Sequence, residues 1–165
     1  MNSDNTWSAL RKDVYIYTDG GCHGNPGPGA WAALLRWQGQ EKGFSGFDPQ
    51  TTNNRMELMA AIHGLGQLKR PMTVHLYSDS QYVVKGMTSY IADWRCNNWQ
   101  TAVKKKIKNL DLWQELDRLN QKHHVTWHWV RGHDGHLENE YVDGLVQKTI
   151  KTHLDKATSS SHVIL

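Results

Sequence analysis

Two cysteines, four prolines and the absence of any long apolar run set the first limits on this 165-residue chain. Cys22 and Cys96 are too few for a disulfide framework and lack the CxxC spacing of a zinc ribbon or redox motif, so a reducing, cytoplasmic setting is expected. Nowhere do eighteen apolar residues run together, and the opening MNSDNTWSALRKD has no apolar h-region, so neither membrane insertion nor secretion is expected. The loop GNPGPGA spaces Gly24 and Gly29 as a phosphate-binding loop would, but Ala30 and Trp31 stand where Lys and Ser or Thr are required. GPGAWA matches GxGxxA only superficially, because Pro28 has no amide donor and a strand-like run follows it. HExxH is missing. These absences exclude a secreted disulfide scaffold, a membrane protein, a P-loop NTPase, a dinucleotide-binding domain and a zinc peptidase of that motif.

What is present describes a soluble protein of one domain, 38% hydrophobic and 21% charged, with a net charge of +3. Residues 1–12 read as a flexible polar leader and 155–165, with its Ser run, as a flexible tail; the folded domain is expected over 13–154. Within it, periodicity gives strands over 13–19, 31–37 and 41–47, a helix over about 54–69, a strand over 73–79 and a short helix over 80–87. A Trp- and Lys-rich region follows over 90–108, then a helix over 110–121, a strand over 125–130 and a helix from about 138. The class is α/β. Two strands finish alike, in Tyr17-Thr18-Asp19 and Tyr77-Ser78-Asp79, with a helix between them. A crossover connection makes them parallel neighbours, with both aspartates at one carboxyl edge, where such sheets bind ligands.

Four acids have competing readings. Asp19 opens an Asp-Gly pair, the strongest short-range hairpin signal. Glu57 closes Asn54-x-x-Glu57, a capping-box pattern, and Asp79 precedes SQYVV as an N-cap would. Asp143 borders the stripe of Val142, Leu145, Val146, Ile150 and Leu154, where a carboxylate is costly unless a cation or donors meet it. Placed together at one sheet edge, the four would repel unless divalent cations lay between them, and hard oxygen ligands favour Mg2+ or Mn2+. Two such ions about 4 Å apart could clamp a phosphoryl displacement. Residues 94–108 carry five basic side chains, no acid, and Trp94 and Trp99, with Tyr90 just before. That mixture suits either a solvated face over packed tryptophans or a polyanion with a stacking surface. His133, in RGHDGHLENE, is read as a mobile proton carrier near the acids and His136 as a loop or cap residue. His75, His123, His124 and His128 alternate with apolar strand residues or flank a strand, and are read as structural or solvent-facing.

Four ordered segments, TDGGCHGNPGPGAWA, TTNNRMELMA, YSDSQYVV and WVRGHDGHLENEYVD, resemble type 1 ribonuclease H of bacterial pattern over about residues 13–154. The resemblance implies a ribonuclease H-like fold with a five-stranded mixed sheet flanked by helices. It implies hydrolysis of the RNA strand of RNA–DNA hybrids by a two-metal mechanism, leaving 3′-hydroxyl and 5′-phosphate ends. Two Mg2+ ions are implied, with Mn2+ as a substitute. Asp19, Glu57, Asp79 and Asp143 match the metal-binding acids, and His133 the catalytic histidine. Cys22, Asn25, Asn53, Asn54 and Gln81 match positions that contact the hybrid, Thr52 one that meets a DNA phosphate, and Asn139 an Asn close to the site. The 94–108 region resembles the basic substrate handle, with Tyr90, Trp94, Arg95, Trp99, Lys104 and Lys105 as its contacts. It departs from strongly basic forms at Arg95-Cys96-Asn97 and Gln100, with Lys106 as partial compensation, and Gly144 and Val146 depart after Asp143. A non-catalytic hybrid-binding module and another metal nuclease of the same superfold are the competing functions. A monomer is expected, and SSSHVIL is either disordered or a partner-docking peptide.

Overall fold

The computed structural model describes residues 12–132 and 135–163, with the backbone alone over 158–163. Five strands, β1 (Val14–Cys22), β2 (Gly27–Trp37), β3 (Gln40–Thr51), β4 (Thr73–Ser78) and β5 (His124–Trp129), form one sheet in the order β3-β2-β1-β4-β5. β1, β2 and β3 pair antiparallel, whereas β1–β4 and β4–β5 are parallel, so the expected mixed sheet is present. The helices are α1 (Asn53–Gly66), α2 (Gln81–Lys85), α3 (Ile91–Cys96), α4 (Leu110–Lys122) and α5 (Leu137–Val163), with a π-helical turn over Gly86–Tyr90 joining α2 to α3.

Alternation along the strands decides which helix covers which face. Val14, Ile16, Val74 and Leu76 point to one side and bury with Leu58, Ala61 and Leu65 of α1 and Trp113 and Leu116 of α4. Ala30, Ala32 and Leu34 of β2 point to the other and meet Val142, Val146 and Ile150 of α5. β2, covered on both faces, is buried from Gly29 through Leu34 and reads as a continuous apolar run. Between β2 and β3, Gln38 and Gly39 both take positive φ, 50° and 78°, as a two-residue hairpin with right-handed strand twist requires.

Three local expectations are corrected. Asp19-Gly20 is not a turn: β1 runs on to Cys22, with Asp19 opposite Ala32 and Cys22 opposite Gly29, and the chain reverses over residues 23–26. Gly20 serves packing instead, since a Cβ there would lie 2.3 Å from the Met56 carbonyl carbon and 2.4 Å from the Glu57 nitrogen of α1. Nor does Asn54 cap α1; Thr52 does, its Oγ1 accepting from the Arg55 amide at 3.3 Å. Ser80, not Asp79, caps α2, accepting from the Val83 amide at 3.2 Å. Sheet pairing overrides the first signal, whereas at both helix starts the hydroxyl of a neighbouring Thr or Ser takes the capping role. The last helix also continues past residue 154 to Val163, and residues 151–157 are exposed. No described helix is long and apolar enough to cross a membrane.

Candidate active site

Because Gly20 has no side chain, α1 seats its first turns directly on β1, and Glu57 comes down beside Asp19. The crossover from α1 into β4 then delivers Asp79 at the end of the parallel neighbour strand. Carboxylate oxygens of Asp19, Glu57 and Asp79 all lie within 4.8 Å of one another. Asp19 and Glu57 are only 4% and 5% exposed. Asp79 is steadied by the Trp129 indole, whose Nε1 donates to the Asp79 carbonyl at 3.1 Å, and by the close passage of Gly132, where a Cβ would stand 3.1 Å from Asp79 Oδ2. Asp143, half-buried on α5, stands outside this trio.

Burial and mutual repulsion both disfavour ionisation here. The Asp19 carboxyl is pushed up to about 8, by burial first and then by the charges of Asp79 and Asp143, with the Gly20 amide and Glu57 acting in the opposite sense. Glu57 is held well above the ordinary carboxylate range, by burial and by Asp19 and Asp79. Glu57 Oε2 is buried with no hydrogen-bond partner. Converging oxygens, like charge, and a buried acceptor lacking a donor make a donor set suited to a hard divalent cation, which would satisfy the oxygen and reverse the repulsion. Among the described residues this is the one group of three such ligands.

Around the acids, the side chains expected at the substrate divide into two sets. Asn53 and Asn54 at the start of α1, and Gln81 at the start of α2, are exposed. Asn25 ties the glycine loop to α1, its Oδ1 accepting from the Asn53 amide at 3.1 Å, while Thr52 caps the helix. The Cys22 thiol turns inward, 2.7 Å from the Gly24 carbonyl oxygen and 3.3 Å from those of Gly27 and Thr51. Asn139 is buried, its backbone N–H donating to His136 Nδ1 at 3.4 Å. His133 lies outside the described residues.

The handle divides in the same way. Trp94 stacks on exposed Tyr90 (5.9 Å, 22°) and sets its edge against buried Trp113 (5.2 Å, 68°), and Trp99 also packs on the core. Lys104 and Lys105 are exposed. Arg95, by contrast, grips Asp117 of α4 through Nε and Nη2, both at 3.0 Å, and the Asp117 side chain is only 7% exposed. The sequence offered no sign of this pairing across 22 residues. Equally unforeseen was the Arg55–Asp111 fork at 3.0 and 2.8 Å, which links α1 to the head of α4. An i, i+3 or i, i+4 rule finds neither, because both join different elements.

The RNase H family matches residues 11–151 of this chain. A "Ribonuclease H" of Hydrogenovibrio crunogenus is 58% identical over 139 residues, spanning 84% of this chain and 96% of that protein. Among solved structures, LC9-RNase H1, described as a type 1 RNase H with the type 2 active-site motif, superposes with a TM-score of 0.76 at 34% identity, covering 86% of this chain and 73% of that one. LC11-RNase H1, solved in complex with an RNA/DNA hybrid, shares the fold with a TM-score of 0.68 at 22% identity, covering 86% and 99%. With the strand order, the converging carboxylate trio and a match that runs from before β1 into α5, this chain belongs to the ribonuclease H family.

Proposed function

We propose that this chain hydrolyses the RNA strand of RNA–DNA hybrids, cutting internally and leaving 3′-hydroxyl and 5′-phosphate ends. The observation that carries this reading is the trio of buried Asp19 and Glu57 with half-buried Asp79, whose oxygens converge within 4.8 Å at the sheet edge. Asp143 completes the acidic set from α5. Bound there, two Mg2+ ions would polarise the scissile phosphate and lower the pKa of water. The protein's own part is placement. Asp19 and Asp79 are held by the pairing of β1 with β4, and Glu57 by the contact of α1 with Gly20. Water adds to phosphorus, the bond to the 3′ oxygen breaks, and that oxygen leaves protonated; His133 is the group we assign to moving protons near neutral pH.

Strand choice falls to the exposed Asn53, Asn54 and Gln81 beside the acids, with Cys22, Asn25 and Asn139 shaping the surface around them. These donors and acceptors can read a 2′-hydroxyl, the group that separates RNA from DNA. Thr52 leaves its neighbourhood at the α1 N-terminus suited to a DNA-strand phosphate. Tyr90, Trp94, Trp99, Lys104 and Lys105 extend the track, with Arg95 supporting it from Asp117. Mg2+ as the working ion, Mn2+ as its substitute, a monomeric state and a cytoplasmic setting belong to the same proposal. A labelled hybrid, a DNA duplex and an RNA duplex incubated with the protein and titrated Mg2+ test it. Internal cuts confined to the RNA of the hybrid are expected; no cleavage, or equal cleavage of duplex DNA, would overturn it.

A further inference from the structure

On the sheet face that α5 covers over β2, strands β1, β4 and β5 carry a row of polar rings instead of apolar side chains. Tyr15 stacks on His75 (5.0 Å, 16°), Tyr17 on Tyr77 (5.0 Å, 16°) and Tyr77 on His128 (4.5 Å, 13°). Within the row two imidazoles meet: His75 Nδ1 lies 3.3 Å from His128 Nε2, across the parallel pairing of β4 with β5. The other nitrogen of His75, Nε2, lies 3.0 Å from Asp13 Oδ2. A carboxylate only accepts, so Nε2 bears the proton and Nδ1 presents its lone pair toward His128.

We propose that His75 and His128 form a second cation site, separate from the acidic centre, for a divalent transition metal of the Zn2+, Ni2+ or Cu2+ type. Three features carry this. Two nitrogens bound at about 2.0–2.1 Å to a tetrahedral ion stand roughly 3.3 Å apart, the separation that the hydrogen bond between the two rings now spans, so tilting both rings lets an ion replace the shared proton without drawing the strands together. Asp13 supplies the outer carboxylate that fixes the tautomer and raises the basicity of a ligating histidine. Imidazole ligands select this class over Mg2+. Burial and the neighbouring His75 hold the His128 pKa below its ordinary value, which favours the neutral ring that can ligate. To bind, His128 moves its proton to Nδ1, and water fills the remaining positions through a side of the site where His75 is 25% exposed. His75 stands four positions before Asp79, about 13 Å at strand rise, so the two centres cannot share an ion. Bound metal would clamp β4 to β5 and leave the chemistry alone.

Calorimetric titration of Zn2+ or Ni2+ into the untagged full chain, with saturating Mg2+ present, tests the site. One equivalent should bind to the wild type. His128→Gln and His75→Gln should abolish that binding while hybrid cleavage in Mg2+ persists, and Asp13→Asn should weaken it by about 10–100-fold. Asp13→Asn keeps both rings, so it reports even if a histidine variant misfolds. Cu2+ in the wild type should show two nitrogen ligands by electron paramagnetic resonance. Absence of Zn2+ and Ni2+ binding, or binding undiminished in folded His128→Gln or in Asp13→Asn, would overturn the assignment.

Discussion

Asp19 is the side chain on which charge, burial and chemistry meet. In metal-free protein its carboxyl is raised from 3.8 to about 8. A group with a raised folded pKa takes up a proton on folding, so its stabilising contribution is complete below the unfolded value and is lost as pH climbs through the folded one. With EDTA present, wild-type stability should therefore fall between about pH 4 and pH 8 relative to Asp19→Asn, by at most about 1.4 kcal/mol per pH unit for a single group. Urea unfolding of both proteins across that range reads the difference, and identical pH profiles would remove the buried-charge account. Adding Mg2+ should flatten the wild-type profile by satisfying the acids. The same substitution should lower hybrid cleavage by about 100–1,000-fold with the fold intact, on the scale of losing a major electrostatic group from an active site.

Among elements, the junction of α1 with β1 sets how close Glu57 comes to Asp19. A Cβ at Gly20 would penetrate the Met56–Glu57 backbone, which cannot swing away as a side-chain tip can. Gly20→Ala should cost about 1–3 kcal/mol and weaken Mg2+ binding together, because the helix must move off the strand. Calorimetric unfolding and metal titration of the one variant check both effects; loss of stability with metal affinity unchanged would mean that the junction does not place Glu57. Gly144 on α5 has the opposite character. Nothing lies within 4 Å of its Cβ position, and no positive φ holds it. Gly144→Ala should stabilise by roughly 0.5–1 kcal/mol through helix propensity alone, readable as a higher midpoint of thermal unfolding. Val146, the other departure after Asp143, is fully buried, its Cγ1 3.0 Å from the Cβ position of Gly21, so it fills space that the glycine leaves open.

At the scale of the whole molecule, partner binding depends on which cations remain free to meet phosphate. Lys104 and Lys105 are exposed, whereas Arg95 is held by Asp117. Lys104→Ala and Lys105→Ala should each reduce the log–log salt slope of hybrid binding by up to roughly 0.9, the duplex DNA value per phosphate contact. Arg95→Ala should change that slope far less and should instead lower stability, because buried Asp117 would lose its cation and keep only the Gln121 amide. Fluorescence titrations over a salt series separate the two behaviours, and a full-sized slope change in Arg95→Ala would restore it as a phosphate contact. Ionic strength should accordingly alter affinity through the lysines and leave the carboxylate centre untouched.

The order of the strands and the meeting of Asp19 and Asp79 at one sheet edge were legible in the chain, because period-two and 3.6-residue patterns report which faces are buried, and repeated Tyr-x-Asp strand ends report a shared edge. The turn signal misled at Asp19, where a few residues cannot announce that a neighbouring strand will claim their backbone, and the cap signals at Asn54 and Asp79 were displaced to the nearby hydroxyls of Thr52 and Ser80. Only the tertiary structure decided that Gly20 admits a helix, that Arg95 closes on Asp117, and that His75 and His128 meet with Asp13 behind them. Each of those joins residues from separate elements, and their energies come from distances of 3 to 5 Å that the folded packing sets and local sequence does not encode.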